Sequence, residues 1–176
     1  MNPSGHSVQF FDCDDQQAHC VANYVRGGID SGCTCIVVAT PEHRTAINAR
    51  LQGLGLDVAA LASSYQYVEL DAQMLLERFL DGERCNQERF HQVFNTLLGQ
   101  AASRGEPLRI YGEMVNVLAG QGRFDAALEL EELWNELSRQ HRFTLLCGYL
   151  EAVLAASPRA CETMERIRAV HGAVIA

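Results

Sequence analysis

One stretch limits the fold more than any other: Thr34-Cys35-Ile36-Val37-Val38-Ala39-Thr40, an unbroken apolar run of β-formers followed at once by Pro41 and a helix-like segment ending at Leu51. A strand that is apolar at consecutive positions has to be covered on both faces, and proline suits the first position of a helix. Together they call for a sheet with helices above and below. The flanking segments repeat the pattern. Residues 8–11 form a short β-like run, and residues 15–29 place Ala18, Val21, Ala22 and Val25 at helical spacing, with Gly27-Gly28 as the expected stop.

Further along, residues 65–70 alternate as a strand with Asp71 as a helix cap, and helices are expected over 72–80 and 86–104, separated at Asp81-Gly82. Residues 108–112 read as a fourth strand running into Glu113-Met114. A helix over 125–140 has Ala127, Leu130, Leu133, Trp134 and Leu137 as its inner stripe, with Trp134 read as core or as a dimer face. Residues 143–150 form a fifth strand, 158–170 an amphipathic helix, and 173–175 a small edge strand. Parallel neighbours need crossover connections. The expected class is therefore α/β: a three-layer α/β/α sandwich with a mostly parallel central sheet, and a single domain over 1–176 without repeat or linker.

With 48% apolar residues in 176, one full core can form. The formal charge of −8 is spread along the chain, and all fourteen basic residues are arginines, so no lysine is present. A surface of that kind does not suit nucleic acid or an anionic membrane as a direct partner. Neither a signal peptide nor an apolar run of membrane-spanning length is present, and a cytoplasmic protein is expected. The seven cysteines form no C-x-x-C pair, so reduced thiols are expected rather than a disulfide framework. Cys13, His19 and Cys20 are the nearest approach to a metal set, too few for one, and no metal or cofactor is expected.

In sheets of this class ligands bind beyond the carboxyl ends of the strands. The first such turn, Phe11-Asp12-Cys13-Asp14-Asp15, is acidic and lacks glycine. A phosphate-binding turn needs glycines and a lysine; carboxylates here cap the following helix and repel phosphate. The layout of a nucleotide enzyme appears without its grip on the nucleotide, and no catalytic residue is assigned.

The residues also carry a resemblance. His6-Ser7-Val8-Gln9-Phe10-Phe11-Asp12, Cys35 to Glu42, Gly55-Leu56-Asp57-Val58, Leu70-Asp71-Ala72, Arg109 to Met114, Leu145 to Tyr149 and Ala169 to Ile175, in that order and spacing, resemble the MEDS domain, a sensory domain of methanogens, methylotrophs and the dichloromethane regulator. The resemblance implies a degenerate RecA-like and KaiC-like fold without a phosphate-binding loop. It also implies a signal-input role in front of an output domain or partner, such as a histidine kinase, a transcription regulator or an anti-sigma type protein. A small organic ligand and a homodimer are its further implications.

The expected ligand-binding residues are His6, Asp12, Asp14, Thr40, Asp71, Tyr111, Glu113, Met114 and Tyr149. Glu113 is read either as a ligand-reading carboxylate or as the ion-pair partner of Arg109 or Arg44. His6 is read as a partner of Asp12 or of the C-terminal tail, and the hydroxyls of Tyr111 and Tyr149 are expected to reach one crevice. A thiol-based redox or metal sensor using Cys13 and Cys20 is the competing reading.

Overall fold

The computed structural model describes residues 5–157 and 160–175. Six parallel strands form the central sheet: β1 (Gly5–Phe11), β2 (Thr34–Ala39), β3 (Tyr67–Asp71), β6 (Leu108–Gly112), β7 (Phe143–Leu150) and β8 (Ala173–Ile175), in the order β3-β2-β6-β7-β1-β8. The short strands β4 (Leu80–Asp81) and β5 (Arg84–Cys85) form a separate antiparallel hairpin. The helices are α1 (Asp14–Asp30), α2 (Pro41–Gly53), α3 (Val58–Ser63), α4 (Ala72–Leu76), α5 (Gln87–Ala102), α6 (Met114–Gly120), α7 (Phe124–Gln140), α8 (Glu151–Ala155) and α9 (Ala160–Val170). None of the described helices is long and apolar enough to cross a membrane.

Two apolar clusters sandwich the sheet. On one face Phe11, Val37, Tyr67, Tyr111 and Leu146 pack against α1, α2 and α3. On the other, Val8, Val38, Ile110, Leu145 and Cys147 pack against α4 to α9. This is the expected three-layer sandwich, and β2 is buried at all six positions, as its unbroken apolar run requires. Phe10 and Phe11 face opposite layers because strand side chains alternate.

The order of the strands sets where a ligand can enter. From β2 the chain moves outward to β3 through α2 and α3 on one face; from β6 it moves the other way to β7 through α6 and α7 on the opposite face. Opposite directions on opposite faces keep every crossover right-handed. The reversal lies between β2 and β6, so the crevice of the sheet opens at their carboxyl ends.

Several boundaries differ from expectation. Helix α1 runs through Gly27-Gly28 to Asp30 instead of stopping there. Gly28 serves close packing: a Cβ on it would lie 2.5 Å from Cys35 Sγ and 2.9 Å from Arg109 Cδ. Strand β3 begins at Tyr67, because Tyr65 takes a left-handed φ of 58° that ends the preceding turn. The helix expected over 72–80 stops at Leu76 and gives way to the hairpin. Of the helix expected over 158–170, the start at 158–159 lies outside the described residues, as do positions 1–4 and 176 of the expected domain.

Candidate functional site

Glu113 stands at the β2–β6 reversal, directly after β6, and its side chain is fully buried. The carboxylate is enclosed by donors. Thr40, which caps α2, donates its backbone N–H to Oε1 at 2.6 Å. Gln17 of α1 donates its amide to Oε2 at 2.5 Å, His43 Nδ1 lies 2.7 Å from the same oxygen, and the Tyr111 hydroxyl points at it from 3.4 Å. The Gln17 amide is also 2.5 Å from the Tyr111 hydroxyl oxygen. Backbone closes the seam as well: the N–H of Glu113 donates to the Val38 carbonyl at 3.0 Å.

His43 connects this buried carboxylate to the surface. Its Nε2 lies 3.3 Å from Asp14 Oδ1, and the Asp14 side chain is 71% exposed while that of Glu113 is 0% exposed. A carboxylate at each ring nitrogen favours the imidazolium, in which both nitrogens donate. The hydrogen bond to Glu113 raises its pKa, burial pulls against that, and the charges of Glu113 and Asp14 add to the rise. Burial and the neighbouring Glu113 charge push the Tyr111 hydroxyl well up, so it remains a neutral donor. One polar atom here is unmatched: Gln17 Oε1 is buried without a hydrogen-bond partner.

The expected residues therefore divide. Asp14, Thr40, Tyr111 and Glu113 gather at the reversal; Asp12 lies exposed after β1 with its N–H on Gln16 Oε1 at 2.6 Å. Asp71 ends β3 and is committed to structure: Oδ1 accepts the N–H groups of Gln73 and Met74, and Oδ2 pairs with Arg44 at 3.2 Å. Met114 is buried in the opposite apolar layer. The single crevice expected for Tyr111 and Tyr149 does not form. Tyr111 pairs in register with Leu146, and Tyr149, three positions on, points to the other face. Nor does Glu113 pair with arginine: Arg109 donates to the Tyr24 carbonyl and lies over the Tyr24 ring, and Arg44 serves Asp71.

His6 and Tyr149 belong to a second polar cluster, under α7. The Tyr149 hydroxyl donates to Glu131 Oε1 at 2.8 Å, and His6 Nε2 lies 3.1 Å from Glu131 Oε2 and 3.2 Å from Cys147 Sγ. His171, from the C-terminal tail as expected for His6's partner, places Nε2 3.2 Å from the same Glu131 oxygen. Burial opposes the Glu131 charge, but the His171 and His6 rings beside it outweigh that and bring its pKa down to about 2.

The profile of the family described as MEthanogen/methylotroph, DcmR Sensory domain (MEDS) matches residues 5–171, from the start of β1 to the turn after α9. The chain belongs to the MEDS family. MEDS is a sensory-domain family, so the chain has a sensory, signal-input role. No curated protein matches it. The match takes in both polar clusters of this MEDS chain.

Gln17 and Glu131 of the MEDS chain's polar clusters were not anticipated, and both left a signal. Gln17 shares the buried stripe of α1 with Val21, Val25 and Gly28, and Glu131 sits among Ala127, Leu130 and Trp134 on the buried stripe of α7. A polar side chain on an apolar stripe must find a partner inside. Cys13 occupies the exposed N-cap position of α1 without a side-chain capping bond, and Cys20 is half-buried; with His19, which pairs with Asn23, they do not converge into a ligand set among the described residues.

Proposed function

We propose that this MEDS chain acts as one non-catalytic input domain that reads a small organic ligand bearing a hydrogen-bond donor or a positive charge, at the rim of Asp12, Asp14, Thr40 and His43 above Glu113. The observation that carries the reading is the buried carboxylate with its unmatched neighbour. Glu113 is solvated entirely by protein donors, and beside it Gln17 Oε1 is a buried acceptor in need of a donor. A buried acceptor without a donor costs about 1–3 kcal/mol, which a ligand N–H or O–H recovers on binding. The acidic rim favours a cationic or neutral molecule over an anion.

Because α1 supplies Gln17 and Asp14 and α2 supplies His43, a ligand that displaces His43 changes how the two helices meet. That change is what an output partner of the histidine kinase, regulator or anti-sigma type would read, through its differential affinity for the two arrangements. Thermal denaturation with a panel of small amines, methylated amines, alcohols and halogenated hydrocarbons tests the reading. At a hundredfold excess over Kd a ligand stabilises by about 2.7 kcal/mol, which raises Tm by roughly 5–10 °C in a chain of this size. One class of compound should produce that rise, and His43→Gln should abolish it. A folded protein unmoved by the whole panel would remove the support for direct sensing at this rim.

A further inference from the structure

The cluster on the opposite face of the sheet has a chemistry of its own. His6, Glu131, Cys147 and His171 each offer one ligand atom, all four residues are buried at those atoms, and the atoms lie within 4.8 Å of one another. They come from β1, α7, β7 and the turn after α9.

The hydrogen bonds around the cluster fix which atoms face inward. The Asn135 amide nitrogen donates to the Val170 carbonyl at 2.7 Å, which turns Asn135 Oδ1 toward His6 Nδ1 at 2.9 Å. An amide oxygen only accepts, so His6 carries a proton on Nδ1 and turns Nε2 inward, where that nitrogen either shares a second proton with Glu131 or, once deprotonated, offers its lone pair. His171 Nδ1 lies 2.6 Å from the Ile167 carbonyl, another acceptor, so it carries a proton there and its Nε2 also faces inward. The Tyr149 hydroxyl holds Glu131 through Oε1 and leaves Oε2 for the centre. Cys147 Sγ completes the set.

Four atoms that can each bind a metal when deprotonated therefore converge, with acceptors orienting the two histidines from behind and a hydroxyl donor orienting the carboxylate, which is how metal-bound histidines and carboxylates are held. The packing of the atoms agrees. His6 Nε2 to Glu131 Oε2 is 3.1 Å, His6 Nε2 to Cys147 Sγ 3.2 Å and His171 Nε2 to Glu131 Oε2 3.2 Å. A tetrahedral zinc ion with bonds of about 2.0–2.3 Å sets its ligand atoms about 3.3–3.6 Å apart. These three pairs need to open by only a few tenths of an ångström, and any pair near the 4.8 Å limit of the set needs to close by about an ångström. Despite their proximity, Glu131 Oε2 and His171 Nε2 have no aligned hydrogen bond and are buried without a partner.

We propose that His6, Glu131, Cys147 and His171 form a buried site for one divalent first-row transition-metal ion, with zinc the best fit. Two imidazole nitrogens, one carboxylate oxygen and one thiolate suit a borderline-soft ion. On binding, the Cys147 S–H bond is replaced by an S–metal bond and the proton passes to solvent. The carboxylate and thiolate then balance the double charge of the ion in a dry site. The ion ties the turn between α9 and β8 to the centre of the sheet, beside the point where the Gly172 N–H donates to the His6 carbonyl at 2.9 Å. This site lies on the face away from Glu113 and is independent of the ligand reading there.

The test is a zinc titration of the full chain against a chromogenic chelator, with elemental analysis of the purified protein. One zinc per chain is expected, with affinity falling at least about 100-fold in His171→Ala and about 10–100-fold in Asn135→Ala, which removes no ligand but frees the His6 ring. His19→Ala and Cys20→Ser should bind as the parent does. Cobalt in place of zinc should give tetrahedral d–d bands and a thiolate charge-transfer band that Cys147→Ser removes. The cobalt spectrum of the unmutated chain decides the matter even where a variant fails to fold. Substoichiometric zinc, a cobalt spectrum without the thiolate band, or affinity unchanged in both His171→Ala and Cys147→Ser would each overturn the site and leave a cluster held by protons alone.

Discussion

Gly148 and Gly28 show how single positions hold the layers together. A Cβ at 148 would stand 2.5 Å from the Tyr111 hydroxyl and 2.9 Å from the Phe11 ring, in a place where neither ring has room to withdraw. Gly148→Ala should cost about 1–3 kcal/mol by overpacking, read as a lower denaturant midpoint at unchanged slope. At Gly28 two effects compete. Alanine gains about 1 kcal/mol of helix propensity in α1, but its Cβ meets Cys35 Sγ and Arg109 Cδ at once, so Gly28→Ala should still be destabilising. A stabilised variant would show that α1 can lift from the sheet. The same scale explains what the sequence leaves hidden. Gln17 and Glu131 could be flagged as polar intruders on apolar stripes, yet nothing along the chain says which buried donors meet them, because those donors come from other elements.

Among the elements, the long ones were legible, while of the short ones α3 and β8 were read and others were not. The unbroken apolar run of β2 and the stripes of α5 and α7 carry enough residues to show their period. Helices α6 and α8, of 7 and 5 residues, are shorter than the window over which periodicity is read, and both went unanticipated. Where α5 and α7 meet β7, Phe79, Phe90, Phe94, Trp134 and Phe143 form a continuous set of ring contacts, with Phe90 to Phe94 at 4.6 Å and Phe94 to Trp134 at 4.5 Å. Trp134 is thereby core, 1% exposed, and not a dimer face. Phe90→Ala should cost about 3–5 kcal/mol. Since Trp134 is the sole tryptophan, its emission reports the loosening of this layer directly.

At the scale of the molecule, the fold was readable because each strand is followed by its helix, whereas the site depended on strand order, which no local pattern encodes. Only the β2–β6 adjacency brings Thr40 to Glu113 across 73 residues of chain. That adjacency also gives stability a pH dependence. Glu113 raises the pKa of His43 above 6.5, so the pair contributes fully below that value, and its contribution is lost as pH rises through the elevated pKa. The stability difference between the parent chain and His43→Gln should therefore shrink in denaturation curves recorded from about pH 6 to about pH 9. A difference that stays constant would mean the ring is not charged. Finally, consider β7 at Cys147 and Gly148. One touches His6 on one face of the sheet, and the next lies against Tyr111 on the other. Two chemically unrelated clusters thus share a single peptide plane as their party wall. If an event on one face tilts that plane, the groups on the other face move with it, and any coupling so created is the same read from either side.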